Sequence, residues 1–425
     1  MAITGVVELS TSNIRFGEGI TREIGLDLLD RRARHVMVLA DPNLVGQYPV
    51  NSIEESLSRH GISYVLFDRI AIEPTDSSFK EAIAIAQASR FDAFVAVGGG
   101  STIDTAKAAN LYSTHPAEFL DYVNKPQGRA LPCPGPLKPL IAIPTTTGTG
   151  SETTTVSVFD LVEAGTKCVI GHRYLKPALA LLDPWNTRTL PAAVVASSGL
   201  DVFSHAIESL TAVPYTSREQ PDRPSDRPAY QGANPISDVW ALESLRLARR
   251  FFTRAVEDPG DLEARGRMLL AAAFAGMGFG NAGVHLPHAM SYPVSSRKKV
   301  YRPEGYNVDH PMVPHGISVI LTTPAVTRFT AAVRPERLLW VAEALGVDVA
   351  SARPADAGRI VSDEVIRYME RLRVPRGLRA IGYDTSDIAG LVAGTLPQER
   401  IVKICPRAVT ADDLARLFEE SMTNY

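Results

Sequence analysis

The chain has 425 residues, too many for one ordinary core at about 150 residues per domain, so two or three domains are expected. Lys plus Arg total 44 against 47 for Asp plus Glu, a net charge of −3 with no long run of one sign, which excludes the basic field of a nucleic-acid binder. Three widely spaced cysteines (Cys133, Cys168, Cys405) exclude a disulfide scaffold and a thiolate zinc site, and no apolar run reaches the roughly 18 residues of a membrane span.

Along the first 190 residues, short apolar runs alternate with helical patterns. HVMVLAD (35–41), YVLF (64–67), DAFVAVGGG (92–100), LIAIPTT (140–146) and ALALLDP (178–184) read as strands buried on both faces of a parallel sheet. NSIEESLSRHG (51–61) and FKEAIAIAQASR (79–90) carry apolar residues at helical spacing, with Gly61 at a helix C-terminus. This alternation predicts a doubly wound α/β domain over 1–190. From 191 to 425 helical periodicity takes over, in 194–210, 238–252, 262–279 and 411–422, and predicts a second, helical domain. Residues 218–235, rich in Pro, Arg and Asp, read as a surface loop within it.

Two loops at strand ends carry ligand-binding chemistry. Gly98, Gly99 and Gly100 lead straight into a helix, where the backbone can approach a ligand closely and free N–H groups suit a pyrophosphate. Ser101 or Thr102 is expected to cap that helix. PTTTGTGSETT (144–154) repeats the arrangement after another strand, and the pair favours a dinucleotide over an empty turn. No GxGxxG is present, so a variant of the doubly wound sheet is implied. Asp41 suits a ribose hydroxyl and would repel a 2′-phosphate, favouring NAD over NADP; equally, it can form the turn before Pro42.

Five of the nine histidines fall between 205 and 315. Asp201 and His205 are four apart on a predicted helix and share a face. His285 with His288, and His310 with His315, come from two further segments. Imidazoles and a carboxylate converging from separate elements suit a divalent metal, and the N/O donor set admits Fe2+ or Zn2+ alike. No HExxH pair is present, which disfavours zincin-type hydrolysis.

GGGSTIDTAK (98–107), PTTTGTGSE (144–152), the DP of 183–184, GLDVFSHAIE (199–208), HAMSYP (288–293) and PHG (314–316) resemble the iron-containing alcohol dehydrogenase family, over essentially the whole chain. EPTDSSF (73–79), RPAYQGANPISD (227–238), FAGMGFGNAGVHLPHAMSYP (274–293), YNVDHPMVPHG (306–316) and TLPQER (395–400) are similar to its hydroxyacid–oxoacid transhydrogenase branch. The resemblance implies a dinucleotide-binding domain followed by a helical metal-binding domain. It implies metal ligands at Asp201, His205, His288 and His315. It places cofactor contacts at Gly98, Gly99, Gly100, Ser101, Asp104, Thr145, Thr146 and Thr149, with Lys107 and Lys176 nearby. His285 and His310 are not ligands in the family and stand as candidates for catalytic or substrate-facing roles.

Two departures bear on chemistry. Where many members of the family carry a second histidine four residues after the third ligand, this chain has Tyr292, so no histidine relay carries over to that point. The 27 positions from His288 to His315 contain Arg297, Lys298, Lys299 and Arg302, a basic stretch suited to substrate carboxylates. The implied activity is NAD- and metal-dependent transfer of hydride from 4-hydroxybutyrate to 2-oxoglutarate, giving succinate semialdehyde and 2-hydroxyglutarate. The rivals are an alcohol dehydrogenase that releases NADH, a lyase resembling dehydroquinate synthase, and a binding scaffold. Hydroxyacid and oxoacid substrates, no nucleic acid, no membrane and a homo-oligomer are expected. Because the N-terminus shows neither a signal peptide nor an Arg-rich leader, a cytosolic address is expected.

Overall fold

A computed structural model describes residues 5–297 and 300–425. The chain divides into two units: residues 11–190 with 259–273, and residues 1–10 with 191–258 and 274–425. Single-boundary division at 190 therefore leaves out two excursions, the first ten residues and the 259–273 stretch, each of which groups with the other unit.

The sheet unit contains β1 (Asn13–Phe16), α1 (Ile24–Asp30), β2 (His35–Ala40), α2 (Tyr48–Arg59), β3 (Ser63–Phe67), α3 (Asp76–Ala88), β4 (Ala93–Gly98), α4 (Gly100–Thr114), β5 (Leu140–Pro144), β6 (Val156–Leu161), β7 (Thr166–Gly171) and β8 (Leu179–Leu182). Six strands form a parallel sheet in the order β1-β8-β5-β4-β2-β3. The two-residue period of a strand explains its double burial. Val36, Val38, Ala93, Val95 and Val97 face one core with α1 and α2. Met37, Leu39, Phe94 and Ala96 face the other with α3 and α4. At the end of α2, Gly61 takes a positive φ of 63°, and Ile62 N and Gly61 N donate to Leu57 O and Ser58 O, closing the helix as a Schellman motif.

Two strand features were not foreseen. β1 has four residues and a mixed burial pattern, too short to show a period. β6 and β7 pair antiparallel in a separate hairpin.

The helical unit contains α5 (Ala192–Thr211), α6 (Pro235–Glu257), the C-terminal part of α7 (Leu262–Ala282), α8 (Leu286–Ser296), α9 (His315–Ile320), α10 (Thr323–Thr330), α11 (Pro335–Ala344), α12 (Ala357–Arg371), α13 (Ile388–Thr395), α14 (Glu399–Val402) and α15 (Ala411–Glu420). Within it, α5 is buried over nearly its whole length and is flanked by α6, α9 and α11. No single helix among the described residues is long and apolar enough to cross a membrane.

Candidate functional site

In the sheet unit, β2 is followed by β3 on one side and β4 lies on the other, so the direction of winding reverses between β2 and β4. Ligands of open α/β sheets bind outside the carboxyl ends of strands at such a reversal. Asp41 and the Gly98–Gly100 loop sit there, tied by Asp41 N donating to Val97 O at 3.1 Å. The Asp41 carboxylate accepts from Asn43 N (2.9 Å) and Nδ2 (3.0 Å), so the turn-forming role holds at this position.

The second loop packs directly on the first. A Cβ at Gly99 would lie 3.0 Å from Thr146 Cγ2, and one at Gly100 would lie 2.9 Å from Thr149 Cγ2. Thr145 N donates to Gly98 O at 3.1 Å. Helix α4 starts at Gly100 with Gly99 as its N-cap and no side-chain cap, so the expectation that Ser101 or Thr102 caps it is corrected. Thr102 instead folds back over Gly98, where a Cβ would meet its Oγ1 at 2.2 Å. The first N–H groups of α4 are left without a side-chain acceptor, a place suited to an anion.

Asp104 is turned inward, away from the role the resemblance suggested. It accepts from Ser151 Oγ (2.5 Å) and Val158 N (2.9 Å). Lys107, fully buried, donates to Ser151 Oγ (2.9 Å), Thr154 Oγ1 (3.2 Å) and Val156 O (2.7 Å). The pair fastens the second loop and β6 onto α4. Burial raises the proton affinity of Asp104 and lowers that of Lys107, each opposed by its partner's charge. Burial also pushes neighbouring Glu152 up to about 7. Lys176 is half-buried just after a 3-10 turn at Arg173–Leu175.

In the helical unit, three segments converge on Asp201. Its carboxylate lies 3.8 Å from His205 Nε2, 3.6 Å from His288 Nε2 and 3.9 Å from His315 Nε2. Asp201 and His205 are one turn apart on α5, His288 comes from the first turn of α8, and His315 opens α9. Gly316 makes the last approach possible: a Cβ there would stand 2.0 Å from Ser197 O of α5. The ring of Phe279 stacks on His205 at 3.9 Å, walling one side.

The donor atoms of Asp201, His288 and His315 all lie within 4.8 Å of one another. His288 Nε2 is buried with no hydrogen-bond partner, an orphan that a metal would satisfy. Three neutral imidazoles and a carboxylate thus fit a divalent ion of the Fe2+ or Zn2+ kind.

Glu208, three residues beyond His205 on α5, was missed by the sequence reading. Its Oε2 accepts from His288 Nδ1 at 2.5 Å, and its Oε1 accepts from the backbone N–H of His285 (2.7 Å) and His288 (3.3 Å). A carboxylate on Nδ1 leaves Nε2 unprotonated and aimed at the metal position. The signal was present: Asp201, His205 and Glu208 repeat at four and three residues, one helix face. Burial opposes the Glu208 carboxylate, but the His288 ring outweighs it and holds its pKa below the usual range. Burial likewise disfavours protonated His288, and Glu208 outweighs it; Asp201 adds to this and Arg400 opposes it.

Of the remaining sequence candidates among the described residues, only His285 touches this cluster, through its backbone N–H on Glu208. His285 is buried, its Nε2 bonded to Thr211 Oγ1 at 2.9 Å, and burial lowers its pKa to about 4. Thr211 Oγ1 already donates to Ile207 O, so His285 carries its proton on Nε2 and acts as a brace. His310 is at the surface beside Asp309, Nδ1 to Oδ1 3.1 Å, which corrects its expected place at the reacting centre. Arg297 and Arg302 are exposed, and Arg302 Nη1 donates to Asp309 O within its own loop. Lys298 and Lys299 lie outside the described residues.

A family model for iron-containing alcohol dehydrogenase matches residues 11–184, and one for the C-terminal part of the Fe-containing alcohol dehydrogenase family matches 229–422. The chain is 54% identical over 420 residues to a rat protein named mitochondrial hydroxyacid-oxoacid transhydrogenase, covering 98% of this chain and 90% of the relative. Mouse, cattle and human relatives at 53–54% carry the same name. The cytosolic address is thereby overturned, because these relatives are named as mitochondrial proteins. A 1,3-propanediol oxidoreductase shares the fold at TM-score 0.84 and 25% identity, over 98% of this chain and 100% of its own. So does sulfoacetaldehyde reductase from Bifidobacterium kashiwanohense, solved with NAD+, at TM-score 0.80 and 24% identity over 98% and 99%.

Proposed function

This chain belongs to the iron-containing alcohol dehydrogenase family, and on that premise we propose that it is a hydroxyacid–oxoacid transhydrogenase. 4-Hydroxybutyrate loses a hydride and a proton to become succinate semialdehyde, and 2-oxoglutarate gains both to become 2-hydroxyglutarate. The observation that carries the reading is the complete Asp201, His205, His288 and His315 cluster in a chain 54% identical, nearly end to end, to a transhydrogenase. When bound there, a divalent ion supplies Lewis acidity, and a nicotinamide cofactor supplies a reversible hydride carrier.

The residues of the chain supply the setting. Asp201 offsets cationic charge, the three histidines fix geometry, and Glu208 holds His288 in its ligating tautomer. Gly98–Gly100 with Ser101, Thr145, Thr146 and Thr149 would take the NAD pyrophosphate, and Asp41 would accept from the ribose. None of these groups needs to act as a nucleophile.

Protein as purified, given 4-hydroxybutyrate and 2-oxoglutarate without added NAD, should form both products in equal amounts. With the hydroxyacid alone, NADH formation should stop after at most one equivalent. Steady NADH release from hydroxyacid and added NAD would instead identify a conventional dehydrogenase.

The cofactor loop has its own test. Gly100→Val would drive a branched side chain into Thr149 and part the two loops. NADH affinity by fluorescence titration should fall about tenfold, or roughly 1.4 kcal/mol, while metal content stays at the wild-type level. Unchanged affinity would remove the loop from the cofactor site.

A further inference from the structure

Every described arginine of the 297–302 stretch is exposed, yet a less exposed one sits on a helix packed against α8, the helix that carries His288. Arg400 is partly buried on α14, a short helix packed against α8. It lies over the ring of Tyr230, 4.7 Å from the centroid, and its charge interacts with the phenols of both Tyr230 and Tyr292. Tyr292 is one turn beyond His288 on α8, so both side chains leave the same helix face. Both tyrosines are 5% exposed.

No carboxylate among the described residues forms an ion pair with Arg400. A guanidinium carries five N–H donors in a planar fork, and two phenol oxygens leave donors over. Desolvated cations in proteins are ordinarily paired, and a carboxylate is the acceptor this fork matches in two parallel hydrogen bonds.

We propose that Arg400, held in place by Tyr230 and Tyr292, is the anchor for a substrate carboxylate beside the Asp201–His288 cluster. It deepens the transhydrogenase reading and rests on it for the identity of the substrates. The anchor acts on both half-reactions, because hydroxyacid and oxoacid each carry a carboxylate away from the reacting carbon. It also gives Tyr292 a role at the position where a relay histidine was missing: the phenol positions the guanidinium.

The test uses full-length protein carrying its metal, with 2-oxoglutarate binding followed by calorimetry and turnover measured on 4-hydroxybutyrate and on its neutral counterpart 1,4-butanediol. Loss of hydrogen bonds to a charged group corresponds to about 10- to 100-fold. Arg400→Gln should weaken 2-oxoglutarate binding by that factor and lower the ratio of kcat/KM for hydroxyacid over diol equally, chiefly through KM. Arg400→Lys, which keeps the charge but not the fork, should recover part of both. Tyr292→Phe should fall between wild type and Arg400→Gln. An equal loss on acid and diol, or unchanged oxoacid binding in Arg400→Gln, would overturn the anchor. Wild type that binds 2-oxoglutarate through Arg400 but does not exchange hydride would defeat the transhydrogenase reading and leave the anchor standing. Wild type with no oxoacid affinity would defeat the anchor itself.

Discussion

His315→Ala and His288→Ala should each yield protein that loses its divalent ion on desalting, with turnover lower by about a thousandfold. Lewis-acid stabilisation contributes several kcal/mol, and each 1.4 kcal/mol is a factor of ten in rate. The two variants should nevertheless differ in stability, because the two histidines are held differently. The His315 side chain is 29% exposed at the start of α9, so truncating it opens a surface hollow. His288 is buried, and its Nδ1 satisfies the buried Oε2 of Glu208. Removing that ring leaves a buried carboxylate oxygen short of a donor, at a cost of about 1–3 kcal/mol. Metal-free His288→Ala should therefore melt several degrees below metal-free His315→Ala, at roughly 2–4 °C per kcal/mol. Elemental analysis and thermal unfolding read the two effects separately. Stoichiometric metal retained by His315→Ala would sink the four-ligand assignment.

That difference marks where the sequence could be read and where it could not. Asp201 and His205 were legible from their four-residue helix spacing, whereas the choice of His288 and His315 over His285 and His310 came from the resemblance of HAMSYP and PHG to the family. The parallel strands were legible because double burial leaves continuous apolar runs, as in β4 and β5, whose residues are all buried. The β6–β7 hairpin was hidden because its residues are divided between a buried and a partly open face without strict alternation. Roles that depend on which side of a helix faces inward were also hidden. Asp104 and Lys107 lie three apart just after the glycine loop, yet both turn into the interior and fasten β6. The basic stretch at 297–302 was conspicuous as composition, but Arg302 is engaged by its own loop. Arg400 stood alone in the sequence and gained meaning only when Tyr230 and Tyr292, 170 and 108 positions away, closed on it.

Glu208→Gln is the sharper test of how the cluster is built, because it preserves shape and changes only which atoms can accept a proton. The wild-type carboxylate accepts on both oxygens: Oε2 from the His288 ring, Oε1 from the backbone N–H groups that open α8. An amide has one acceptor. If its oxygen faces the backbone, its NH2 donates to His288 Nδ1 and moves the ring proton to Nε2, where it blocks ligation. If its oxygen faces His288, the NH2 meets two backbone donors, and the start of α8 shifts with the ligand it carries. Both arrangements injure the same nitrogen. Partners of this kind are worth about 10- to 100-fold in metal affinity. Glu208→Gln should show that loss in a competitive chelator titration, with turnover restored by excess metal because the ligands themselves remain. Glu208→Asp, one methylene short, should reach the backbone groups or the ring less well and fall between Gln and wild type. Metal affinity in Glu208→Gln equal to wild type would mean that the tautomer of His288 is set by the metal alone, and that Glu208 serves only to hold α8 against α5.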